Sequence, residues 1–255
     1  MNDFLNKAGD FLASYSALLL RSGATCARLE QNVGRMAQTW NLNADITIMP
    51  RHVSISIKTE TENDRKVFSE STSSPAISFE KICRLSRMSW EVADNGWNVE
   101  KAENCFKDIS RISPADERWV LFAASCANGA FCRLFGGDMI AASVVFVATF
   151  CGYLLKQMML SRKTDTRIVF IICAFVSSVL ACADSLFSIG KTPQVAVATS
   201  VLYLVPGIPL LNSFSDMIDR HYICFFSRMT DALILICCLS IGLCAGMWIM
   251  NIGMF

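Results

Sequence analysis

The sequence lacks the residue patterns that build metal, dithiol or nucleic-acid sites. It has two histidines, and none of its twelve cysteines forms a CxxC pair, so it offers no zinc constellation and no dithiol motif. The formal net charge is +1, and no aromatic residues alternate with Lys or Arg as they do on nucleic-acid-binding surfaces. We therefore expect no metal, no cofactor and no nucleic-acid partner, and we interpret the cysteines as small apolar packing residues.

Charged residues are scarce in the second half of the chain. Residues 119–255 hold 14 of the 45 Asp, Glu, Lys and Arg side chains, gathered between long apolar runs. The first 118 residues carry 15 basic and 16 acidic side chains, which is an ordinary content for a soluble domain. This division predicts a soluble domain over residues 1–117 and a membrane domain over residues 118–255.

Two hydrophobic periods occur within the first domain. Apolar residues recur at helical spacing over residues 4–19, 29–40, 79–92 and 99–109. Between the second and third of these segments, apolar and polar residues alternate over residues 46–57, as they do in half-buried strands. The patterns predict a compact α+β domain.

Five apolar runs in the second half are long enough to cross a bilayer as helices. They cover residues 119–135, 139–159, 168–188, 195–218 and 229–250. Lys and Arg concentrate around the loops after the second and fourth runs, and we count Lys156 with the first of these loops. The positive-inside rule then places the N-terminus in the cytoplasm and the C-terminus in the periplasm of a bacterial inner membrane. The first residues lack the basic and apolar leader of a signal peptide, which agrees with a cytoplasmic first domain.

The fourth run is interrupted by the sequence Val-Pro-Gly-Ile-Pro. Pro206 and Pro209 have no N–H, so we expect the carbonyls of Leu202 and Val205 to lose their helical partners inside the bilayer. Pro209 suits the first position of a new half-helix, whose free N–H groups and positive dipole end attract a carboxylate. Discontinuous helices of this kind form substrate sites in many transporters, and a simple kink is the alternative. We predict that Pro206, Gly207 and Pro209 bind substrate.

Three polar residues extend this predicted site. Asn212 and Asp216 are four residues apart and share one helix face. Asn212 can donate to and accept from a small polar solute. Asp216 can carry a proton or another coupling cation, and an ion pair with Arg220 on the next turn is the alternative. Asn128 lies midway along the first run, where an interhelical hydrogen bond would also explain it.

A hydrolase site in the first domain is a competing interpretation. His52 lies near Asp45, Glu60, Glu62 and Asp64 in the sequence. However, the chain has no nucleophile elbow, no HExxH and no phosphate-binding glycine loop. We interpret the acidic residues as part of a solvated loop and expect no enzymatic activity.

Three segments carry a resemblance: residues 18–24 leading into residues 28–30, residues 131–137, and most specifically residues 205–212 with Asp216 and Met217. Together they resemble the threonine/serine exporter family in its shorter, split form. The resemblance implies export of threonine and serine driven by the proton motive force, and similar split pairs are associated with C4-dicarboxylates such as succinate. Full-length members look like a cytoplasmic domain followed by about ten spans, so a second small membrane subunit with about five spans is implied as partner.

The sequence thus predicts an N-terminal cytoplasmic α+β domain followed by an all-α bundle of five transmembrane helices with a broken fourth span. A membrane-anchored hydrolase needs only one span and no broken helix, and a sensor or scaffold subunit is a further alternative. Gly242 and Gly246 have GxxxG spacing, which allows close helix packing. They would mark a self-contact if a homo-oligomer took the place of the second subunit.

Overall fold

The computed structural model of the protein describes residues 2–59, 65–72, 77–187 and 191–251. The chain forms two compact units. The first comprises Met1–Ser113 together with Ile208–Thr230, and the second comprises Pro114–Gly207 together with Asp231–Phe255. Part of the predicted fourth and fifth spans therefore packs with the N-terminal domain. The predicted boundary at residue 117 concerns the border between water and membrane, and it stays a prediction.

The first unit begins with two helices, α1 (Asn2–Arg21) and α2 (Cys26–Thr39). Helix α1 ends in a left-handed turn at Gly23, where φ is +92°, a conformation that favours glycine. The N–H of Ala24 donates to the carbonyl of Leu19, as in a Schellman motif. The change from one helical pattern to the next in the sequence therefore corresponds to a tight turn of small residues.

A three-stranded antiparallel sheet follows, with β1 (Leu42–Met49), β2 (His52–Thr59) and β3 (Arg65–Ser71) in that order. The last residue of β1 pairs with the first of β2, which leaves a two-residue hairpin turn that starts at Pro50. The apolar residues of the central strand are buried in the core: Val53, Ile55 and Ile57. The alternating pattern over residues 46–57 predicted the first two of these strands.

Two further helices, α3 (Phe79–Asn95) and α4 (Val99–Ser110), complete the N-terminal part of the unit. Gly96 ends α3 in the left-handed conformation at φ +59°, and the Asn98 side chain caps α4. Tyr15 lies buried in the core, where its hydroxyl donates to the carbonyl of a residue on α3. The α+β character predicted for the first domain is confirmed.

The remaining helices are α5 (Glu117–Leu134), α6 (Met139–Ser161), α7 (Thr166–Phe187), α8 (Pro193–Ser200), a 3-10 turn (Leu202–Leu204), α9 (Gly207–Ile218) and α10 (Tyr222–Ile249). Among the described residues, α6, α7 and α10 contain stretches long and apolar enough to cross a membrane. The number rises to four if the interrupted pair of α8 with the 3-10 turn and α9 counts as one span. The protein is therefore a membrane protein by composition.

Helix α5 is not among these candidates. Its 18 residues include three charged side chains: Glu117, Arg118 and Arg133. Charged groups are costly inside a bilayer, and of these three only Arg133 lies within the predicted first run, residues 119–135. The count of five spans and the orientation of the termini stay predictions. The residues beyond Asn251 lie outside the described part of the chain.

Gly242 and Gly246 pack inside the second unit. A side chain at Gly242 would meet the carbonyl oxygen of Ile171, and one at Gly246 would meet the side chain of Ser178. Both neighbours belong to α7 of the same chain. The GxxxG spacing therefore serves close packing between α7 and α10.

Candidate functional site

The break before α9 contains its own hydrogen bonds. The N–H of Val205 donates to the carbonyl of Leu202 (3.1 Å), and the N–H of Gly207 donates to that of Val205 (2.8 Å). Both carbonyls lose their helical partners as expected, since Pro206 and Pro209 have no N–H. They are nevertheless paired, because the 3-10 turn and the tight turn at Pro206 supply another donor to each.

Pro209 is the third residue of α9 rather than its first, because the helix begins at Gly207. Its missing N–H still costs little, since the first four N–H groups of a helix have no partner within the helix. A side chain at Gly207 would meet no atom within 4 Å. The substrate-binding role of Pro206, Gly207 and Pro209 stays a prediction.

Asn212 and Asp216 lie on the part of α9 that contacts the turn between α1 and α2. The Asn212 amide donates to the carbonyl of Gly23 (2.7 Å), and the Asp216 carboxylate accepts from the N–H of Cys26 (3.0 Å). The partners are 189 and 190 positions apart in the sequence. Two of the segments that carry the family resemblance therefore meet here, and we name this contact the α9 dock.

Arg228 on α10 completes the α9 dock. Its Nη1 lies 2.9 Å from Oδ2 of Asp216, and its Nη2 donates to the carbonyl of Ala24 (2.9 Å). The Asp216 side chain is fully buried, and 21% of the Arg228 side chain is exposed. Within the described residues, Oδ2 of Asp216 and Nη1 of Arg228 make no well-oriented hydrogen bond, so their attraction is mainly electrostatic.

Arg220, the partner suggested for Asp216 by helical spacing, occupies a different position. It adopts the left-handed conformation at φ +66° and lies just beyond the end of α9. The N–H of His221 donates to the backbone carbonyl of Asp216 (2.7 Å), again as in a Schellman motif. The chain reverses at this point, and His221 lies 3.4 Å from the carboxylate of Glu30 on α2. The side chain that pairs with Asp216 comes from α10.

Two buried cysteines lie beside the α9 dock. The sulfur of Cys224 is 3.7 Å from the carbonyl of Ile48. A hydrogen bond to Cys224, burial and the nearby Asp216 carboxylate raise the pKa of the Cys26 thiol. Cys26 therefore stays protonated at neutral pH and is a poor nucleophile. This agrees with the interpretation of the cysteines as packing residues.

Asn128 belongs to a separate polar cluster in the second unit. It is 3% exposed, and its amide donates to the hydroxyl of Thr149 on α6 (2.6 Å) and to the carbonyl of Thr199 on α8 (3.1 Å). Nearby, the hydroxyls of Ser177 on α7 and Tyr203 in the 3-10 turn lie 2.9 Å apart. Four helices and the 3-10 turn thus contribute polar groups to the interior of this unit.

The sheet residues considered for a hydrolase site make surface contacts. His52 lies 3.1 Å from the hydroxyl of Ser69, and Asp45 forms an exposed ion pair with Arg65 (2.9 Å). The other three acidic residues of that hypothesis lie outside the described residues: Glu60, Glu62 and Asp64. In the described ranges, no group of three or more His, Cys, Asp and Glu side chains is arranged to hold a metal ion.

Sequence reasoning identifies Asn128, Asn212 and Asp216 but misses most of their partners. Helical spacing suggests Arg220 as the partner of Asp216, and nothing in the sequence suggests a partner for Asn212. The available signal is the resemblance itself, because two of the three segments that carry it contribute residues to the α9 dock. Nothing in their spacing indicates that they touch.

Comparison with known proteins gives one family match. The sequence model of the ThrE threonine/serine exporter family matches residues 10–250. A protein of Klebsiella aerogenes named "Probable succinate transporter subunit YjjP" is 34% identical over 149 residues, which cover 56% of this chain and 57% of that protein. Its Escherichia coli namesake is 31% identical over the same shares.

A more distant relative matches over a longer stretch. A Mycobacterium tuberculosis protein named "Probable threonine/serine exporter" is 21% identical over 243 residues, which cover 93% of this chain and 45% of that protein. The chain thus spans little more than half the length of the first two relatives and less than half of the third. No solved structure matches the chain.

Proposed function

Because the chain belongs to the threonine/serine exporter family, we propose that it is one subunit of a two-component exporter of small carboxylates in a bacterial inner membrane. The substrates are threonine and serine, or a C4-dicarboxylate such as succinate, and the proton motive force drives export. The names of the relatives support both substrate classes, and the word "subunit" in two of them supports a partner. The partner we propose is a small membrane protein with about five spans.

The α9 dock is the structural observation that carries this proposal. It holds the segment after the helix break to the N-terminal domain through a buried carboxylate, Asp216, and a cation, Arg228. Protonation of Asp216 removes one charge of the pair and leaves Arg228 without its counter-ion, which is strongly unfavourable at a buried site. Proton binding at Asp216 would therefore weaken the hold of the N-terminal domain on α9, and we propose this as the coupling step.

The substrate-binding residues we propose are those of the break and the buried amide of the second unit. Gly207 begins α9, but its N–H donates to the carbonyl of Val205. Pro209 has no N–H, so Ile208 and Leu210 provide the N–H groups of the first turn that favour an anion such as a carboxylate. The amide of Asn128 already contacts a hydroxyl and a carbonyl, so it belongs to a set of polar groups that a polar solute can share.

Efflux from cells tests the proposal directly. We expect the chain alone to insert without lowering intracellular threonine, serine or succinate, and we expect co-expression with a small membrane protein encoded beside it to restore efflux. Quantification of the three compounds inside and outside the cells measures this. Transport by the purified chain without a partner would contradict the two-component assembly while supporting an exporter, and the absence of transport with the partner would contradict both.

Reporter fusions test the orientation. Because Lys and Arg concentrate around two of the loops, we expect a reporter before Met1 to be active in the cytoplasm and one after Phe255 to be active in the periplasm. A fusion in the exposed loop at Lys163, between α6 and α7, serves as the cytoplasmic reference. If both terminal fusions report the same compartment, an odd number of spans is wrong.

A further inference from the structure

Lys156 lies inside a helix that is long and apolar enough to cross the membrane. Helix α6 continues to Ser161, so Lys156 belongs to the helix rather than to the following loop, about 8 Å before the helix end. The residue is only partly exposed. Its ammonium lies 5.3 Å from the ring centre of Tyr153 and 5.5 Å from that of Phe170 on α7.

No acidic side chain pairs with this ammonium among the residues that the structure describes. The ion pairs found in the described ranges leave Lys156 out, and two aromatic rings face it. A cation inside a membrane helix is costly, and such residues usually pair or mark a substrate path. Aromatic rings offset part of this cost, but they leave the ammonium free to bind an anion.

Hydroxyl groups continue from Lys156 along the same face of α6. Tyr153 packs against Tyr203 with ring centres 5.9 Å apart, and the Tyr203 hydroxyl lies 2.9 Å from that of Ser177. Gly152, one turn before Lys156, lets both hydroxyls approach α6, because a side chain there would collide with each of them. Thr149 follows one turn earlier and contacts Asn128.

This row, which we name the α6 seam, consists of Lys156, Tyr203, Ser177, Thr149 and Asn128. Thr149 and Lys156 are seven residues apart, which corresponds to about 10 Å along the helix. The seam therefore offers one cation followed by neutral hydroxyl and amide groups. A carboxylate accepts hydrogen bonds from an ammonium and from hydroxyls, and charged hydrogen bonds of this kind are the strong ones.

Resting on the proposed function, we propose that Lys156 with the hydroxyls of Tyr203 and Ser177 binds a carboxylate of the exported substrate. The α6 seam contains one cation and, among its described residues, no carboxylate that would receive an ammonium group. The site therefore favours a substrate with net negative charge, such as a C4-dicarboxylate, over a zwitterionic amino acid. This assigns to Lys156 a recognition role in place of the topology role suggested by its position near a loop.

Transport kinetics of the chain with its partner test this assignment. We expect Lys156→Gln to raise the KM for succinate by about ten- to a hundredfold, which corresponds to the loss of one charged hydrogen bond. Lys156→Arg keeps the charge, so its KM should lie closer to that of the wild type. Arg162→Gln is the matched control, because Arg162 is exposed at the end of the same helix and its replacement removes an equal charge from the same region.

The outcomes separate this inference from the proposed function. If the wild type exports neither succinate nor threonine, the proposed function is wrong. If the wild type exports succinate but Lys156→Gln has the same KM for succinate as Arg162→Gln, the carboxylate site is wrong. A lower KM for threonine than for succinate overturns the preference for net negative charge. Should Lys156→Gln not reach the membrane, Tyr203→Phe and Ser177→Ala take its place, and an unchanged KM in both overturns the site.

Discussion

Replacing Asp216 by alanine is expected to lower the free energy of unfolding of the first unit by about 3 kcal/mol, at the lower end of the usual cost of removing one partner from a buried ion pair. The lower end applies because part of the Arg228 side chain reaches solvent. The substitution leaves the Arg228 guanidinium without its counter-ion and the N–H of Cys26 without its acceptor. Thermal or denaturant unfolding in detergent, followed through the N-terminal domain, measures the change.

A double-mutant cycle separates the pair from other effects. We expect Asp216→Ala combined with Arg228→Met to be less destabilised than the sum of the single variants, because the double variant leaves no unpaired charge. Arg220→Ala is the control, because Arg220 lies at the turn after α9 and does not pair with Asp216. This substitution should change the free energy of unfolding by no more than about 0.5 kcal/mol. Equal losses for Arg220→Ala and Arg228→Met would contradict the observed pairing.

Asp216→Asn distinguishes a structural role from proton coupling. The amide oxygen of the new side chain still accepts from the N–H of Cys26, although the charge is lost. The free energy of unfolding should therefore fall less than it does with Asp216→Ala. If Asp216 carries the coupling proton, export by this variant falls sharply and loses its dependence on pH. A normal export rate with the wild-type pH dependence would leave the α9 dock as a structural contact only.

Replacing Pro206, Gly207 and Pro209 together by alanine is expected to abolish export while the protein still inserts. Alanine favours helix, and proline and glycine are the two residues that oppose it most, so the variant should join the 3-10 turn to α9 as continuous helix. The N–H groups of Ile208 and Leu210 at the start of α9 would then form hydrogen bonds within the helix and no longer be free for an anion.

Efflux assays at matched protein levels in the membrane measure this result. Pro193→Ala is the matched control, because Pro193 lies in the first turn of α8, where a proline is well tolerated and its loss changes little. Undiminished export by the triple variant would show that the break only bends the chain. Loss of export in the control as well would show a general effect of proline removal.

The local architecture of the first unit is predictable because its signals are local. Alternation around Pro50 defines the hairpin, and the Asn95-Gly96 pair ends α3 where the helical pattern stops. Each of these elements depends on side chains within a few residues of one another. Helix ends are less well defined by pattern: α6 runs two residues beyond its predicted end, and Lys156, counted with the loop cations, lies more than a turn inside it.

The α9 dock is not predictable in this way, because its contacts join distant segments. Helical spacing identifies Arg220 as the nearest cation to Asp216, but the left-handed turn at that residue ends α9 and brings Arg228 back to the carboxylate. The sequence marks Asn212 and Asp216 as unusual polar residues and does not name their partners in the turn between α1 and α2. Periodicity describes which face of a helix is polar, and it carries no information about what that face meets.

The turn between α1 and α2 offers the α9 dock only main-chain atoms. Asn212 and Arg228 reach the carbonyls of Gly23 and Ala24, and Asp216 reaches the N–H of Cys26. The α9 dock therefore depends on the backbone conformation of this turn and does not depend on most of the side chains in it. Point changes in the turn are tolerated as long as the left-handed residue remains, whereas one inserted or deleted residue would put all three contacts out of register at once.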